Sequence, residues 1–98
     1  MTRREVRVAD SFFGRLDSQL GPERGATGEP SSTDFLVNDL PTIVEQFATE
    51  FDGLTEAISG VPSIRMFVGT GALVGAYVVQ GIEIEDGVVE LVAIDIDL

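Results

Sequence analysis

The last third of the chain constrains the fold most, because two apolar runs flank an Asp-Gly pair. Residues 73–84 are rich in Val and Ile, Asp86-Gly87 follows, and residues 88–98 are again rich in Val, Leu and Ile. Asp-Gly between runs of this kind is a strong signal for a two-residue hairpin turn. Residues 64–68 alternate in the manner of a further strand. The sequence therefore predicts a meander of three strands from residue 64 to residue 98.

The hairpin turn also sets the expected pairing of its two strands. With Asp86-Gly87 as the turn, the predicted pairs are Glu85 with Val88, Ile84 with Val89, Glu83 with Glu90, and Ile82 with Leu91. The apolar side chains change from one face of the hairpin to the other near Gly81. We therefore expect either a β-bulge there, which rotates the strand, or a sheet that is covered on both faces.

The beginning of the chain predicts a strand followed by a helix. Residues 4–9 alternate between charged and apolar side chains, as in a half-buried strand. Asp10 or Ser11 is the expected cap of the helix, since both side chains accept hydrogen bonds from a free helix N-terminus. Gly21-Pro22 is expected to end this helix.

A loop and a second helix precede the meander. Residues 21–33 contain three Gly and two Pro, which predicts a flexible loop. Apolar residues then recur every three or four positions after Asp39, the expected cap, and predict a helix that ends near residue 53. The order is β-α-α-β-β-β in a single domain of residues 1–98. We expect an α+β fold, in which an antiparallel sheet carries two helices on one face and the first strand lies beside a later one.

The charge of the chain excludes several classes of function. There are 17 acidic residues and six arginines, a net charge of −11, and no Lys, His, Cys or Trp. These absences exclude disulfides, thiol nucleophiles, zinc–thiolate sites, imidazole bases and lysine Schiff bases. The negative charge opposes nucleic acids and anionic membranes. No apolar run follows the basic start, which predicts no signal peptide and a cytoplasmic protein. We also expect no cofactor.

Acidic side chains on the meander are the remaining candidates for chemistry. Glu83 and Glu90, if they face each other, could hold a hard cation such as calcium or perform acid–base work; the alternative is a solvated edge that discourages strand addition. Asp95 and Asp97 are expected opposite the apolar face. There they would be exposed, pair with Arg3, Arg4 or Arg7, or line a small cleft. The glycine-rich run at 69–75 is similar in spacing to a dinucleotide-binding loop. Such a loop is followed by a helix, whereas a strand is expected here, so we favour turn and bulge glycines over nucleotide binding.

The chain resembles the RelE/ParE superfamily of bacterial toxins, most clearly from Ser63 to Leu98. Ile64-Arg65-Met66-Phe67 is similar to the family's strand with a basic residue, Ala76-Tyr77-Val78-Val79 to the next strand with its Tyr, and residues 88–94 to the apolar last strand. Within this resemblance Arg65 and Tyr77 are the expected binding residues. The sequence departs from the family at Phe67 and Val74, where further bases are expected, and in its acidic end. The resemblance therefore implies the fold without ribonuclease chemistry, and we expect no catalytic residues.

These observations predict a diverged RelE/ParE-like protein that acts by binding another protein. The partner would be an antitoxin-like segment or a target protein, which lies across the helix pair and the sheet edge as an added strand or an amphipathic helix. An acidic module that associates with itself, as a homodimer, is the first alternative. A small enzyme or metal binder that uses Glu83, Glu90, Asp95 or Asp97 is the second. Direct binding of nucleic acid or membrane is not expected.

Overall fold

A five-stranded sheet carries the helices of this chain on one of its faces. The computed structural model describes residues 3–23, 25, 30–71 and 74–97. In chain order the elements are β1 (Glu5–Val8), α1 (Asp10–Gln19), α2 (Ser32–Asn38), α3 (Leu40–Thr49), a 3-10 turn (Phe51–Gly53), β2 (Thr55–Glu56), β3 (Ile64–Gly69), β4 (Ala76–Glu85) and β5 (Val88–Asp97). In the described part of the chain, no helix has the length and apolar character that a membrane crossing requires.

The strand order is β1-β5-β4-β3-β2. The expected α+β class is confirmed, and the first strand does lie beside a later one. The sheet is mixed rather than antiparallel, however, because β1 runs parallel to β5 while the other pairs are antiparallel. The predicted order is also wrong in two places, since α2 and the short strand β2 were not expected. A parallel pair needs a long crossover connection, and the helices and the other strands supply it here.

Helix α2 replaces the last part of the predicted 21–33 loop. The Ser31 hydroxyl accepts a hydrogen bond from the Asp34 amide at 3.1 Å, and the Asp34 carboxylate accepts one from the Ser31 amide at 3.0 Å. This reciprocal capping box fixes the start of the helix at Ser32. Ser32 is buried, and its amide donates to the Gly21 carbonyl at 2.9 Å, which ties the two ends of the segment together. Residues 24 and 26–29 lie outside the described residues, so the flexibility of this loop stays a prediction.

Helices α1 and α3 follow their apolar periodicity. Phe12 and Leu16 of α1 are buried in the core, whereas Phe13 points outward and is 37% exposed. The cap of α1 is Ala9 rather than Asp10 or Ser11, since the helix begins one residue earlier than a side-chain cap would require. Asp39 stands at the N-cap position of α3 as expected, but its side chain makes no capping hydrogen bond to the helix.

The core lies between the helices and one face of the sheet. Its largest buried side chains come from both layers: Phe12, Phe35, Phe47, Phe51, Leu16, Ile43, Leu91, Ile94, Val79 and Val89. Gly81 allows the closest approach, because a Cβ atom at this position would lie 2.5 Å from the Phe47 ring. Phe47 therefore packs directly on the backbone of β4, and only glycine leaves room for its ring.

The hairpin of β4 and β5 turns at Asp86-Gly87 as predicted, but its register departs from the prediction after one pair. Glu85 pairs with Val88 as expected. Ile84 then bulges out of the ladder, so Glu83 pairs with Val89 and Ile82 with Glu90. A shift of one residue moves every following side chain to the other face.

A second irregularity gives the expected bulge near Gly81. Gln80 pairs with Ala93 and Gly81 pairs with Leu91, which leaves Val92 as an extra residue in β5. Of the two alternatives for this point, a bulge is therefore the correct one. It restores the apolar residues of the far end of β5 to the core side of the sheet.

Side chains of α1 cover the edge of β5 where β1 has ended. β1 pairs only with Val88 to Leu91. Beyond it, the Ser11 hydroxyl donates to the Val92 carbonyl at 2.9 Å, and the Gln19 amide group donates to the Ile94 carbonyl at 2.7 Å. The Gln19 carbonyl oxygen accepts a hydrogen bond from the Ile96 amide at 2.6 Å. The helix thus satisfies main-chain groups that an edge strand otherwise exposes.

Candidate protein-docking surface

The face of the sheet opposite the helices, here called the open face, carries a row of apolar side chains. Paired residues of β3 and β4 share this face: Val68 with Val78, Met66 with Gln80, and Ile64 with Ile82. Val68 is 61% exposed, and the other four apolar members are half-buried. We call Ile64, Met66, Val68, Val78 and Ile82 the apolar strip. Their alternation in sequence with core residues such as Val79 places them on the side that no described helix covers.

Carboxylates border the apolar strip on the side of β5. Glu90 pairs with Ile82, Asp95 with Val78, and Asp97 with Ala76, so these three acids share the open face with the strip. We call Glu90, Asp95 and Asp97 the acidic border. Asp95 is bonded to Arg15, with 3.0 Å between Nη2 and Oδ1. Glu90 and Asp97 form no ion pair among those found in the described residues, so the border keeps a negative charge.

The far side of the open face belongs to β1, which adds charges of both signs. Glu5 pairs in register with Val88 and Arg7 pairs with Glu90, so both charged side chains of β1 lie on this face. The Arg7 guanidinium is held by Glu5 and lies 3.9 Å from Glu85. The hydrogen bond that the Arg7 guanidinium donates to Glu5 is the main cause that raises the pKa of Arg7. Across the open face, the side chains therefore change from apolar on β3 and β4 to acidic on β5 and to charges of both signs on β1.

Arg4 is the centre of a second polar cluster, at the end of the sheet near the hairpin turn. Its Nε donates to Glu83 at 2.9 Å, its Nη2 lies 3.2 Å from Asp52, and its guanidinium lies 4.9 Å from the centre of the Phe51 ring. The hydrogen bond to Glu83 raises the pKa of Arg4, and burial opposes this rise. An open cleft of about 630 Å³ lies beside Arg4, with Glu50 among its other lining residues. Ion pairs inside the protein occupy the guanidinium.

The two predicted binding residues both project to the helix-covered side of the sheet. Arg65 pairs in register with Gly81, and its guanidinium donates to the carbonyls of Pro62 and Leu54, both at 2.8 Å. No carboxylate in the described residues forms an ion pair with it. These bonds hold the connection between β2 and β3 in place. The binding role of Arg65 stays a prediction.

Tyr77 lies in the core, with only 2% of its surface exposed. Its ring packs edge-on against Phe35 at 5.6 Å between centroids and lies 6.0 Å from the Phe67 ring. Burial raises the pKa of the Tyr77 phenol, and the charge of Asp39 adds to this. The surroundings of Tyr77 are those of a packing residue, and its binding role too stays a prediction.

The acidic pairs considered from the sequence are not brought together. The register places Glu83 beside Val89 on the core side and Glu90 beside Ile82 on the open face, so the expected facing pair of glutamates is wrong. Glu83 is bonded to Arg4 instead. In the residues that the structure describes, no group of three acidic side chains is placed to hold a metal ion.

Asp95 and Asp97 lie opposite the core, as expected, and are exposed. The arginine that pairs with Asp95 is Arg15, which was not among the expected partners. Helix α1 explains this, because it lies along β5 and reaches the strand edge with Arg15 as well as with Gln19.

Sequence reasoning missed the open face, although β3 and β4 carry a signal for it. Met66 to Val68 in β3 and Ala76 to Val79 in β4 are apolar at consecutive positions rather than at every second one, which is typical of strands with two buried or bound faces. Only one of these faces is covered in the described structure.

Comparisons of the chain with protein-family models, with curated proteins and with solved structures find no match to it.

Proposed function

We propose that this chain is a protein-binding module whose docking surface is the open face of its sheet. The observation that carries the proposal is the apolar strip, two strands wide, which the helices leave uncovered on the far side. Contiguous apolar surface of this kind marks interaction sites in proteins. The strip is also built on the central strands, so a partner would dock on a rigid surface.

The proposal includes the RelE/ParE-like action expected from the sequence, in the cytoplasm and without RNA cleavage. Its support is the placement of the positive charge. Phosphate binding needs guanidinium groups that are clustered and free, and the described arginines are engaged within the protein. Their partners are Glu45 for Arg3, Glu83 and Asp52 for Arg4, Glu5 for Arg7, Asp95 for Arg15, and main-chain carbonyls for Arg65. Arg4 and Arg65 both approach the Phe51 ring, but each is turned to acceptors of the chain itself.

The proposed docking surface differs from the one expected at the sequence level. The apolar faces of the helices are buried in the core, and α1 caps the edge of β5. A partner would therefore bury more apolar surface on the open face than on the helices. This partner would be an antitoxin-like protein or a target protein that the chain inactivates.

Expression in a bacterial host tests this function. The wild type is expressed alone and together with the product of the adjacent gene, and compared with Val68→Asp and with Val37→Asp, which changes a 69% exposed valine on α2. We expect the adjacent product to copurify with the wild type and Val37→Asp but not with Val68→Asp. A growth defect that the adjacent product relieves would add the toxin-like role.

Two results would contradict the proposal. Sedimentation of the chain with ribosomes or RNA at physiological salt would show that it binds polyanions. Dimers that form on addition of salt, with no foreign partner and with a Val68→Asp variant that stays monomeric, would favour the self-associating acidic module instead.

A further inference from the structure

We infer that the open face binds an α-helix with a basic flank, which lies along β3 and β4. This inference rests on the proposed function and names the class of partner. Three features carry it: the dimensions of the apolar strip, the position of the acidic border, and the place of the strip on a face rather than at an edge of the sheet.

The dimensions of the apolar strip fit one helix. Neighbouring strands lie about 4.8 Å apart, so two rows of side chains make a surface about 10 Å wide, close to the diameter of a helix. β3 has six residues, and a strand of that length spans about 20 Å. A helix of about 14 residues has the same length. Its apolar stripe would contact Val68 and Val78 at one end and Ile64 and Ile82 at the other.

The charges on the two sides of the strip are unequal. The acidic border follows β5 on one side. On the other side β2 pairs with β3 so that Thr55 is the neighbour of Met66, and it places an uncharged side chain on the open face. Basic residues would therefore contact the border along one flank of the helix only. Gln80, in the middle of the strip, offers a hydrogen bond to a polar residue of the partner.

A helix fits this surface better than an added strand or a second copy of the chain. Strand addition uses main-chain groups at a sheet edge, whereas the apolar strip lies on the face of β3 and β4, and the edge of β5 beyond β1 is already bonded to Ser11 and Gln19. Two copies docked through their open faces would offer the acidic borders no base of the described strands other than Arg7, so both docked surfaces would be mainly acidic. Like charges in such an interface weaken it.

The probes for the experiment are three synthetic helical peptides of about 14 residues. The first has a leucine stripe with a lysine flank, the second has the same leucines with glutamates in place of the lysines, and the third has the lysines with serines in place of the leucines. Amide chemical shifts of the labelled protein at about 150 mM salt locate each peptide, because long-range charge effects are screened there. We expect the first peptide to shift resonances of β3 and β4, and the other two to bind at least about tenfold more weakly.

Variants of the protein separate the apolar contribution from the charge contribution. Val68→Asp is expected to lower the affinity for the first peptide about tenfold. Its exposed control, Val37→Asp, is expected to leave this affinity unchanged. Glu90→Gln with Asp97→Asn is expected to weaken it about two- to fivefold. The matched control removes two exposed acids elsewhere, Asp17→Asn with Glu23→Gln, and should change the affinity less. Circular dichroism verifies that each variant is folded.

The outcomes distinguish this inference from the proposed function. If the lysine and glutamate peptides bind equally well, or if the two double variants lower the affinity for the first peptide equally, the partner helix does not need a basic flank. Shifts confined to α1, α2 or α3 would overturn the site. If none of the peptides shifts β3 and β4 while Val68→Asp still releases the adjacent gene product, the helical partner is wrong and the docking surface stands.

Discussion

Gln19 gives the sharpest test of how the helix layer protects the sheet. Its side chain makes two hydrogen bonds to the edge of β5 beyond the end of β1: its amide group donates to the Ile94 carbonyl at 2.7 Å, and its carbonyl oxygen accepts from the Ile96 amide at 2.6 Å. A hydrogen bond contributes about 0.5–1.5 kcal/mol net, so Gln19→Ala should lower the free energy of unfolding by about 1–3 kcal/mol. This loss would lower the urea midpoint by about 1 M, with an unchanged slope.

Ser18→Ala is the control for this substitution. Ser18 is exposed and adjacent, and its hydroxyl donates to the Arg15 carbonyl within α1. We expect its urea midpoint to stay close to that of the wild type. Hydrogen exchange of the Ile96 amide should accelerate in Gln19→Ala and not in Ser18→Ala. If the two variants have the same midpoint and the same exchange rate at Ile96, the edge of β5 does not depend on Gln19, and the reasoning is refuted.

Three further predictions concern the core, a titration and a cap. Gly81→Ala should destabilise the fold by about 1–3 kcal/mol because its Cβ would collide with the Phe47 ring, and Phe47→Leu in the same chain should recover part of this in urea denaturation. Burial first and the charge of Asp39 second raise the pKa of Tyr77 above its ordinary value of 10.0. Because the folded state holds the phenolic proton more tightly, the contribution of Tyr77 to stability should be constant below pH 10 and be lost as the pH rises above it. Absorbance of the single tyrosine near 295 nm follows the titration, and a phenolate that forms with an ordinary pKa would contradict this placement. Ser31→Ala should cost about 0.5–2 kcal/mol, measured by thermal unfolding, through loss of the capping box of α2, and an unchanged midpoint would show that the cap contributes nothing.

Local patterns predicted the elements whose signals are themselves local. The spacing of apolar residues located α1 and α3, and Asp86-Gly87 located the hairpin turn, because periodicity and turn chemistry depend on a few neighbouring residues. Helix α2 carried its own signal in the Ser31 to Asp34 spacing. The short apolar stretch after that cap does not by itself distinguish a helical turn from an extended segment.

Features that depend on contacts between distant residues could not be predicted from the sequence. The bulge at Ile84 lies beside Glu83, which is bonded to the distant Arg4, and no residue near the turn signals it in the sequence. This single bulge separates Glu83 from Glu90 and removes the expected acidic pair. The parallel alignment of β1 with β5 likewise joins two segments that are separated by residues 9–87 of the chain. The open face was visible only as two short runs of consecutive apolar residues, at 66–68 and 76–79, and which face stays uncovered depends on where the helices pack.

The absence of cysteine from the chain permits a direct measurement of the docking surface. The variants Val68→Cys and Val37→Cys each carry a unique thiol, the first on the apolar strip and the second on α2. Alkylation of each thiol is timed with and without the product of the adjacent gene. If the open face docks a protein, alkylation of Val68→Cys slows at least about tenfold in the complex while that of Val37→Cys is unchanged. An unchanged rate at Val68→Cys, or protection at Val37→Cys alone, would contradict a docking surface on this face of the sheet.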